Sequence, residues 1–234
     1  MRLVLCVALA AAAIPLAAAQ QSETARLRAC IEKIDTAPKE AYEDGLAWMG
    51  MGARPAARQC VALALIALGQ EAEGAARLEQ LANDKDAGSL DQRGVYLAQS
   101  GNAWLLAKMP DAAIVTLTNA MKLRPSDGDL RKDRARAYVM LAKWTEAGKD
   151  LDAAVELSPG DAEAHRLRAY ALLKMGRLDD AWTDIEAALK QSPDDVSSTV
   201  LRGDIREAIR KKGLSDPTGR NEPSTPVSPK VIGN

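Results

Sequence analysis

Apolar residues in the middle of the chain recur three or four positions apart within short segments, which is the spacing of one face of an α-helix. Two such stripes lie on either side of Gly176, and their members are Leu167, Ala171, Leu172 and Met175, then Leu178, Ala181, Ile185, Ala188 and Leu189. Glycine at this point allows the left-handed backbone that commonly ends a helix. The pattern therefore predicts two helices joined by a tight turn. Because one such hairpin cannot bury both of its apolar faces alone, neighbouring hairpins are expected to stack.

The hairpin pattern recurs every 34 residues, as the positions of Pro125, Pro159 and Pro193 show. Each proline would end the second helix of a hairpin and redirect the chain. Counting back from the prolines defines three frames, which are residues 94–127, 128–161 and 162–195. The eighth, twentieth and twenty-seventh positions of every frame hold Gly or Ala. Small residues at these positions let paired helices approach closely.

These three frames resemble the tetratricopeptide repeat family. The segment GRLDDAWTDIEAALKQSPDD, residues 176–195, is similar to the second helix and exit turn of that family. The sequence departs from the family at the fourth position, often Trp, and the seventh, often Leu. These positions hold Leu97, Arg131 and His165, and Ser100, Arg134 and Arg168. The resemblance implies an all-α fold, a right-handed superhelical solenoid of antiparallel helix hairpins.

Weaker versions of the pattern flank the three frames. Residues 55–88 form a degenerate repeat that has Asp86 where the other frames have proline. Residues 20–54 contain two helical segments, interpreted as an N-terminal capping hairpin. Residues 196–212 are predicted to be a C-terminal capping helix that covers the apolar end of the stack. Residues 213–234 contain four prolines and no periodic apolar pattern, so this tail is predicted to be disordered.

Residues 1–19 form a segment of a different kind. One arginine precedes an uncharged run from Leu3 to Ala19 that ends in small residues, which is the arrangement of a cleavable secretory signal. We therefore predict cleavage before Gln20 and a periplasmic or secreted protein. The Ala-, Arg- and Asp-rich composition favours an exported bacterial type. The alternative is an uncleaved membrane anchor, although the run is at the short limit for a membrane span and contains Pro15.

Cys30 and Cys60 are the cysteines that remain after this cleavage. Two thiols in an oxidising compartment usually form a disulfide, so a bridge is predicted. The alternative is two independent buried thiols. Because the chain has a single histidine, His165, and lacks metal-ligand spacing, no metal site and no cofactor are expected.

The sequence offers little reactive chemistry. It contains none of the motifs of nucleophile-elbow hydrolases, P-loop enzymes, dinucleotide-binding enzymes or zinc proteases. No catalytic residue is therefore assigned, and the chain is predicted not to be an enzyme. His165 is interpreted as a packed structural residue. A net charge of −1 argues against a general nucleic-acid binder.

In the repeat family, the fifth, ninth and twelfth positions of each first helix tend to line a concave groove. The resemblance therefore implies an inner surface made of Ala98, Asn102, Leu105, Lys132, Arg136, Val139, Arg166, Tyr170 and Leu173. Lys132, Arg136 and Arg166 would make this surface mildly cationic. Asn102 and Tyr170 would add hydrogen bonding, so these five residues are the predicted peptide-binding site. A ligand with an acidic or C-terminal carboxylate group suits such a site, and a solvated charged face without a ligand is the alternative.

The combined interpretation is a non-catalytic periplasmic or secreted scaffold that binds a protein or peptide segment, in cell-envelope assembly or maintenance. One alternative is an accessory subunit of an envelope enzyme complex. Another is a cytosolic or membrane-anchored adaptor with an uncleaved N-terminus, and only then would a membrane be a partner. Charge reversal at Lys132 and Arg136 together is expected to abolish partner capture with little effect on thermal unfolding.

Overall fold

The computed structural model describes residues 22–214. This part of the chain folds into eleven helices. They are α1 (Glu23–Ile34), α2 (Pro38–Gly50), α3 (Pro55–Ala67), α4 (Glu71–Asn83), α5 (Leu90–Leu106), α6 (Pro110–Leu123), α7 (Gly128–Met140), α8 (Trp144–Leu157), α9 (Ala162–Lys174), α10 (Leu178–Gln191) and α11 (Val196–Lys211). The predicted signal segment, residues 1–19, lies outside the described residues, as does the predicted tail apart from residues 213 and 214.

Each helix packs against the next helix along the chain, so the helices form a linear stack. Helices α5, α7, α9 and α11 also touch one another in succession, and α1 touches α3. The first helices of successive hairpins therefore share one side of the stack, which we call the inner face. The predicted all-α class, with hairpins packed in sequence as tetratricopeptide-like repeats, is confirmed.

Serine or aspartate side chains cap the starts of α1, α5, α7, α9 and α11, whereas α3 begins after Arg54 without a side-chain cap. Asp127, Asp161 and Asp195 each accept hydrogen bonds from two backbone N–H groups at the starts of α7, α9 and α11. Ser22 and Ser89 each accept one at the starts of α1 and α5. Such caps satisfy N–H groups that have no partner within the helix, and a carboxylate also interacts favourably with the positive end of the helix dipole. The last residue of each of the three 34-residue frames is therefore the aspartate that caps the next first helix.

In the four hairpins from α3 to α10, the turn places a left-handed residue at the same repeat position. The φ angle there is +77° at Gly69, +76° at Gly176, 59° at Lys108 and 54° at Ala142. Glycine adopts this conformation without a steric cost, whereas another residue loses about 1–2 kcal/mol. Because Lys and Ala are held there as well, the packing of the two helices sets the turn geometry.

Close packing of paired helices explains the small residues at the eighth repeat position. A Cβ added to Gly101 would lie 2.5 Å from the side chain of Leu117, so a larger residue would force that side chain to move. Ala135 and Ala169 are fully buried at the equivalent positions of the next two repeats. Leu130 of α7 belongs to the same hydrophobic core as Leu117 of the preceding hairpin. Each hairpin therefore covers the apolar side of its predecessor.

The structure differs from the repeat frames at the start of α5. This helix begins at Leu90 and has 17 residues, whereas α7 and α9 have 13 each. The five residues that the frames leave between repeats, 89–93, form the cap and first turn of α5. Ser89 accepts a hydrogen bond from the N–H of Gln92 at 3.2 Å, which fixes the earlier start. Frames counted from proline spacing do not detect this additional turn.

The predicted disulfide is present and joins α1 to α3. The Cα atoms of Cys30 and Cys60 are 6.0 Å apart. Within the part of the chain that the structure describes, α1 is the one helix without a buried residue. Its other contacts are limited: Leu27 packs against the small core of Trp48, Ala57 and Cys60, the Arg26 guanidinium lies 4.6 Å from the centre of the Trp48 ring, and Lys33 pairs with Asp44 at 2.7 Å. Because exposed ion pairs stabilise weakly, the disulfide and the apolar contact of Leu27 are the main attachments of α1.

We predict that loss of this disulfide releases α1 before the rest of the stack unfolds. The bridge closes a 30-residue loop, which corresponds to a stabilisation of about 3–4 kcal/mol on the chain-entropy model. In the variant Cys30→Ser/Cys60→Ser, amide hydrogen exchange should rise in residues 23–34 and stay unchanged in residues 128–191. A uniform rise over both regions would show that α1 is not a separately attached element.

Candidate peptide-binding surface

Four of the predicted inner-face residues, Asn102, Lys132, Arg136 and Arg166, lie in one continuous row. Asn102 on α5 donates a hydrogen bond from Nδ2 to Oδ2 of Asp133 on α7, at 2.9 Å. Lys132 on α7 donates from Nζ to Asp161, the cap of α9, at 2.6 Å. Each contact therefore crosses from one repeat to the next, so the row also connects the repeats.

Arg136 and Arg166 continue this row towards the C-terminus. Arg136 donates from Nη2 to Oε1 of Glu163 at 2.6 Å and also pairs with Asp133 on its own helix. Arg166 lies 3.5 Å from Glu163 and 3.7 Å from Asp195, the cap of α11. We call this set the polar row. Its members are Asn102, Lys132, Arg136, Arg166, Asp129, Asp133, Asp161, Glu163 and Asp195.

The polar row corrects the expectation of a mildly cationic inner surface. Its three cations, Lys132, Arg136 and Arg166, face five carboxylates. Most of these carboxylates stand in the cap or first turn of a first helix, where acids stabilise the helix start. Stacking then places the acids of one repeat against the cations of the repeat before it. The sequence analysis considered only the fifth, ninth and twelfth positions and so missed them.

Burial and pairing shift the pKa values of the row in opposite directions. Partial burial alone would lower the pKa of Lys132, but its contacts with Asp161 and Asp129 raise it above the usual value. Partial burial alone would raise the pKa of Asp161, but Lys132 and two backbone N–H groups lower it. Burial raises the pKa of Asp133 despite Arg136 and Asn102 nearby. The contribution of Asp161 to stability is thus present above the usual carboxyl pKa and is lost as the pH falls.

Apolar residues line the inner face at the other end of the first helices. Leu105, Val139 and Leu173 are half-buried at the twelfth position of successive repeats. Their neighbours Leu106 and Met140 are 59% and 42% exposed. We call these five residues the apolar rim.

Tyr170, the remaining predicted site residue, lies outside the polar row and contacts Trp144 and Lys174. Its ring meets that of Trp144 edge-on, with centroids 5.7 Å apart. Lys174 lies 5.1 Å from the centre of the Tyr170 ring. The inner face therefore offers an aromatic and aliphatic edge beside a charged one.

The described residues give Arg134 and Arg168 a role that the sequence analysis did not assign. Each makes a two-pronged pair with an aspartate sixteen residues later, at 2.7 Å for Arg134 with Asp150 and 2.6 Å for Arg168 with Asp184. Each also reaches the second helix of the preceding repeat, where Arg168 contacts Asp152 at 3.1 Å. These arginine clamps tie neighbouring repeats together. The shared spacing of the Arg and Asp residues was the signal that could have revealed them.

His165 packs inside the last complete repeat, as the sequence interpretation expected. Its Nδ1 lies 2.9 Å from Oδ1 of Asp184, and its Nε2 lies 3.1 Å from the carbonyl oxygen of Pro159. The residue is 8% exposed. His165 and Arg168 therefore contact the same aspartate, Asp184, and His165 is buried rather than exposed in the groove.

Comparison with known proteins identifies the repeat. The sequence model of the tetratricopeptide repeat family matches residues 132–196 and, in a second match, residues 166–211. Residues 132–211 are therefore similar to tetratricopeptide repeats. No protein with a curated function matches the sequence. Within residues 22–214, no helix has the length and apolar character needed to cross a bilayer.

Solved structures resemble this tetratricopeptide stack over half to two thirds of its length. The first TPR of Spaghetti (RPAP3), solved with the HSP90 peptide SRMEEVD, is 28% identical with a TM-score of 0.50, and the match covers 51% of this chain and 95% of that one. The first TPR domain of human RPAP3 is also 28% identical with a TM-score of 0.50, covering 51% and 94%. MamA, at 18% identity and a TM-score of 0.57 over 66% and 85%, shares the fold alone.

We predict that the arginine clamps stabilise the tetratricopeptide stack strongly. In Arg168→Met, the carboxylate of Asp184 stays 5% exposed and loses its two-pronged partner, so the free energy of unfolding in urea should fall by about 3 kcal/mol. Arg177→Met is the control, because its pair with Asp180 is exposed and should contribute at most about 1 kcal/mol. Equal effects of the two substitutions would contradict a special role for the clamp.

Lys132→Glu should destabilise the protein, contrary to the expectation drawn from the sequence. A carboxylate at this position would face Asp161, Asp129 and Glu163, which now lie 2.6, 3.0 and 3.6 Å from Lys132 Nζ. We expect a loss of about 2 kcal/mol, since an attractive buried contact becomes a repulsive one. Lys149→Glu on the exposed side of α8 makes the same charge change and should leave thermal unfolding nearly unchanged.

Proposed function

We propose that this protein is a non-catalytic exported scaffold that binds a protein or peptide segment on its inner face, in cell-envelope assembly or maintenance. The observation that carries the proposal is the continuous inner face of α5, α7, α9 and α11, on which a polar row and an apolar rim run side by side across consecutive repeats. Such a surface suits an elongated ligand, because contacts recur with every repeat along it.

A similar solved structure supports peptide binding. The first TPR of Spaghetti binds an HSP90 peptide whose sequence is SRMEEVD. That domain matches half of this chain, so its ligand supports binding of a peptide rather than the identity of a partner. An acidic or carboxylate-ended ligand for this chain stays a prediction from the sequence. The carboxylates of the polar row would repel such a ligand.

The disulfide supports export. Structural disulfides persist in oxidising compartments and are rare in the cytosol. Cys30 and Cys60 form such a bridge, and the first 19 residues have the pattern of a cleavable signal. A periplasmic or secreted location is therefore proposed, in preference to a cytosolic or anchored adaptor. Sequencing the N-terminus of the native protein should give Gln20, and a start at Met1 would contradict cleavage.

Site-specific crosslinking in living cells tests binding on the inner face. A photo-crosslinking amino acid would replace Leu106 on the apolar rim or, as a matched control, Val115 on α6. These residues are 59% and 63% exposed, so solvent access alone does not separate them. We expect a discrete protein adduct from position 106 and none from position 115. Adducts at both positions, or at neither, would contradict a binding inner face.

The identity of the crosslinked protein separates the proposal from its alternative. A catalytic partner whose activity depends on this chain would favour an accessory subunit of an envelope enzyme complex. A partner without such dependence would favour the scaffold. Substrate turnover by the pure chain would overturn both.

A further inference from the structure

The single histidine of the chain, His165, is buried near the start of α9. Nδ1 of its ring lies 2.9 Å from Oδ1 of Asp184 on α10. Nε2 lies 3.1 Å from the carbonyl oxygen of Pro159, in the turn between α8 and α9. Both ring nitrogens are therefore at hydrogen-bond distance from an oxygen atom.

Both of these oxygen atoms can only accept a hydrogen bond. The carbonyl group of Pro159 carries no hydrogen, and Arg168 donates to both oxygens of Asp184 at 2.6 Å, a two-pronged pair that keeps this carboxylate ionised. A neutral imidazole has one N–H group and one bare nitrogen. In this site the bare nitrogen would face the lone pairs of an oxygen. Only the imidazolium form, which donates from both nitrogens, satisfies both contacts.

The charges around the ring accommodate a positive imidazolium. Asp184 is 5% exposed and pairs with Arg168, which also reaches Asp152 on α8 at 3.1 Å. An imidazolium and the guanidinium of Arg168 supply two positive charges, and the two aspartates supply two negative ones. The protonated ring therefore leaves this group of side chains without a net charge.

Charged groups on the other helices that touch α9 pair elsewhere. Lys132 and Arg136 on α7 pair with Glu163, and Asp195, the cap of α11, pairs with Arg166. Within residues 22–214, the carboxylate on α10 is thus the one charged group that contacts the ring.

The preceding repeat holds a permanent cation at the same position. Arg131 is the fourth residue of its frame, as His165 is of the next, and each stands three residues before the arginine of a clamp. Arginine is always charged in proteins. A positive charge at this position of the repeat is therefore compatible with the stacked helices.

We propose that His165 is an imidazolium in the folded protein at neutral pH and acts as a pH-sensitive tie between two repeats. Its Nε2 proton binds the exit turn of residues 128–161, and its Nδ1 proton binds the second helix of residues 162–195. When the ring loses one proton, a bare nitrogen faces an acceptor and one of the two bonds is lost. Because the folded state holds a proton that the unfolded chain releases more readily, the stack loses stability as the pH rises.

Nitrogen NMR of isotope-labelled protein tests the protonation state directly. With one histidine in the chain, the two ring nitrogen signals need no assignment, provided that the protein is purified without a histidine tag. We expect two protonated nitrogens in the folded protein at about pH 7, and loss of one proton at a lower pH when the protein is unfolded in urea. A bare ring nitrogen in the folded protein at about pH 7, or loss of the proton at the same pH in both states, would overturn the proposal.

Urea unfolding at several pH values tests whether this proton stabilises the stack. Between about pH 6 and about pH 9, the equilibrium constant for unfolding should increase at least about 10-fold more in the wild type than in His165→Gln. A tenfold change corresponds to a difference of one pH unit in proton binding between the folded and unfolded states. Glutamine stays neutral over this range, so the pH trend of the variant reports the other titrating groups. Parallel trends in the two proteins would overturn the tie.

A second variant keeps the test decisive if glutamine prevents folding. His165→Arg introduces the residue that the preceding repeat has at this position, and its charge does not change over the same pH range. We expect its stability to vary with pH less than that of the wild type, again by at least about 10-fold in the equilibrium constant for unfolding. A pH trend equal to that of the wild type would contradict the proposal, and the NMR measurement requires neither variant.

Discussion

The structure depends on one constraint: a helix hairpin buries one apolar face within itself and needs a neighbour to bury the other. Leu130 and Ala137 on α7 are 1% and 0% exposed because they lie in a core that also contains Tyr96 and Leu117 of the preceding hairpin. The same step repeats at α9 and again at α11, whose Leu201, Ile205 and Ile209 complete the last core. Helix α11 therefore covers the apolar side of the last hairpin, in the position that the first helix of a further hairpin would take.

Stacking also decides the electrostatics of the inner face. The caps and first-turn acids of each repeat are selected locally, because they stabilise the start of a helix. Once the repeats are stacked, Asp161 and Glu163 stand against Lys132 and Arg136 of the repeat before them. One set of acids thus begins a helix, connects two repeats and changes the charge of the surface.

The two ends of the protein are stabilised by different means. At the C-terminal end, apolar burial and the Arg168 clamp with Asp184 hold the last helices. At the N-terminal end, α1 buries no residue among those described and is attached through Cys30 and Cys60. Covalent attachment lets a helix with few apolar residues remain part of the stack, and it makes the fold of that end depend on an oxidising environment.

The sequence by itself determined the elements and their order. Helical periodicity, the prolines at a spacing of 34 and the small eighth-position residues define hairpins that can only stack, because these signals are local. It also indicated the disulfide, since the two thiols left after the predicted cleavage have one available pairing. It identified Asn102, Lys132, Arg136, Arg166 and Tyr170 as inner-face residues through the family resemblance. Only the tertiary structure decided what those side chains touch. Lys132 meets Asp161, which is 29 residues away in the chain, and Arg168 meets Asp152 of the preceding repeat. Contacts between repeats depend on the spacing and rotation of packed helices, and periodicity along one chain carries neither quantity.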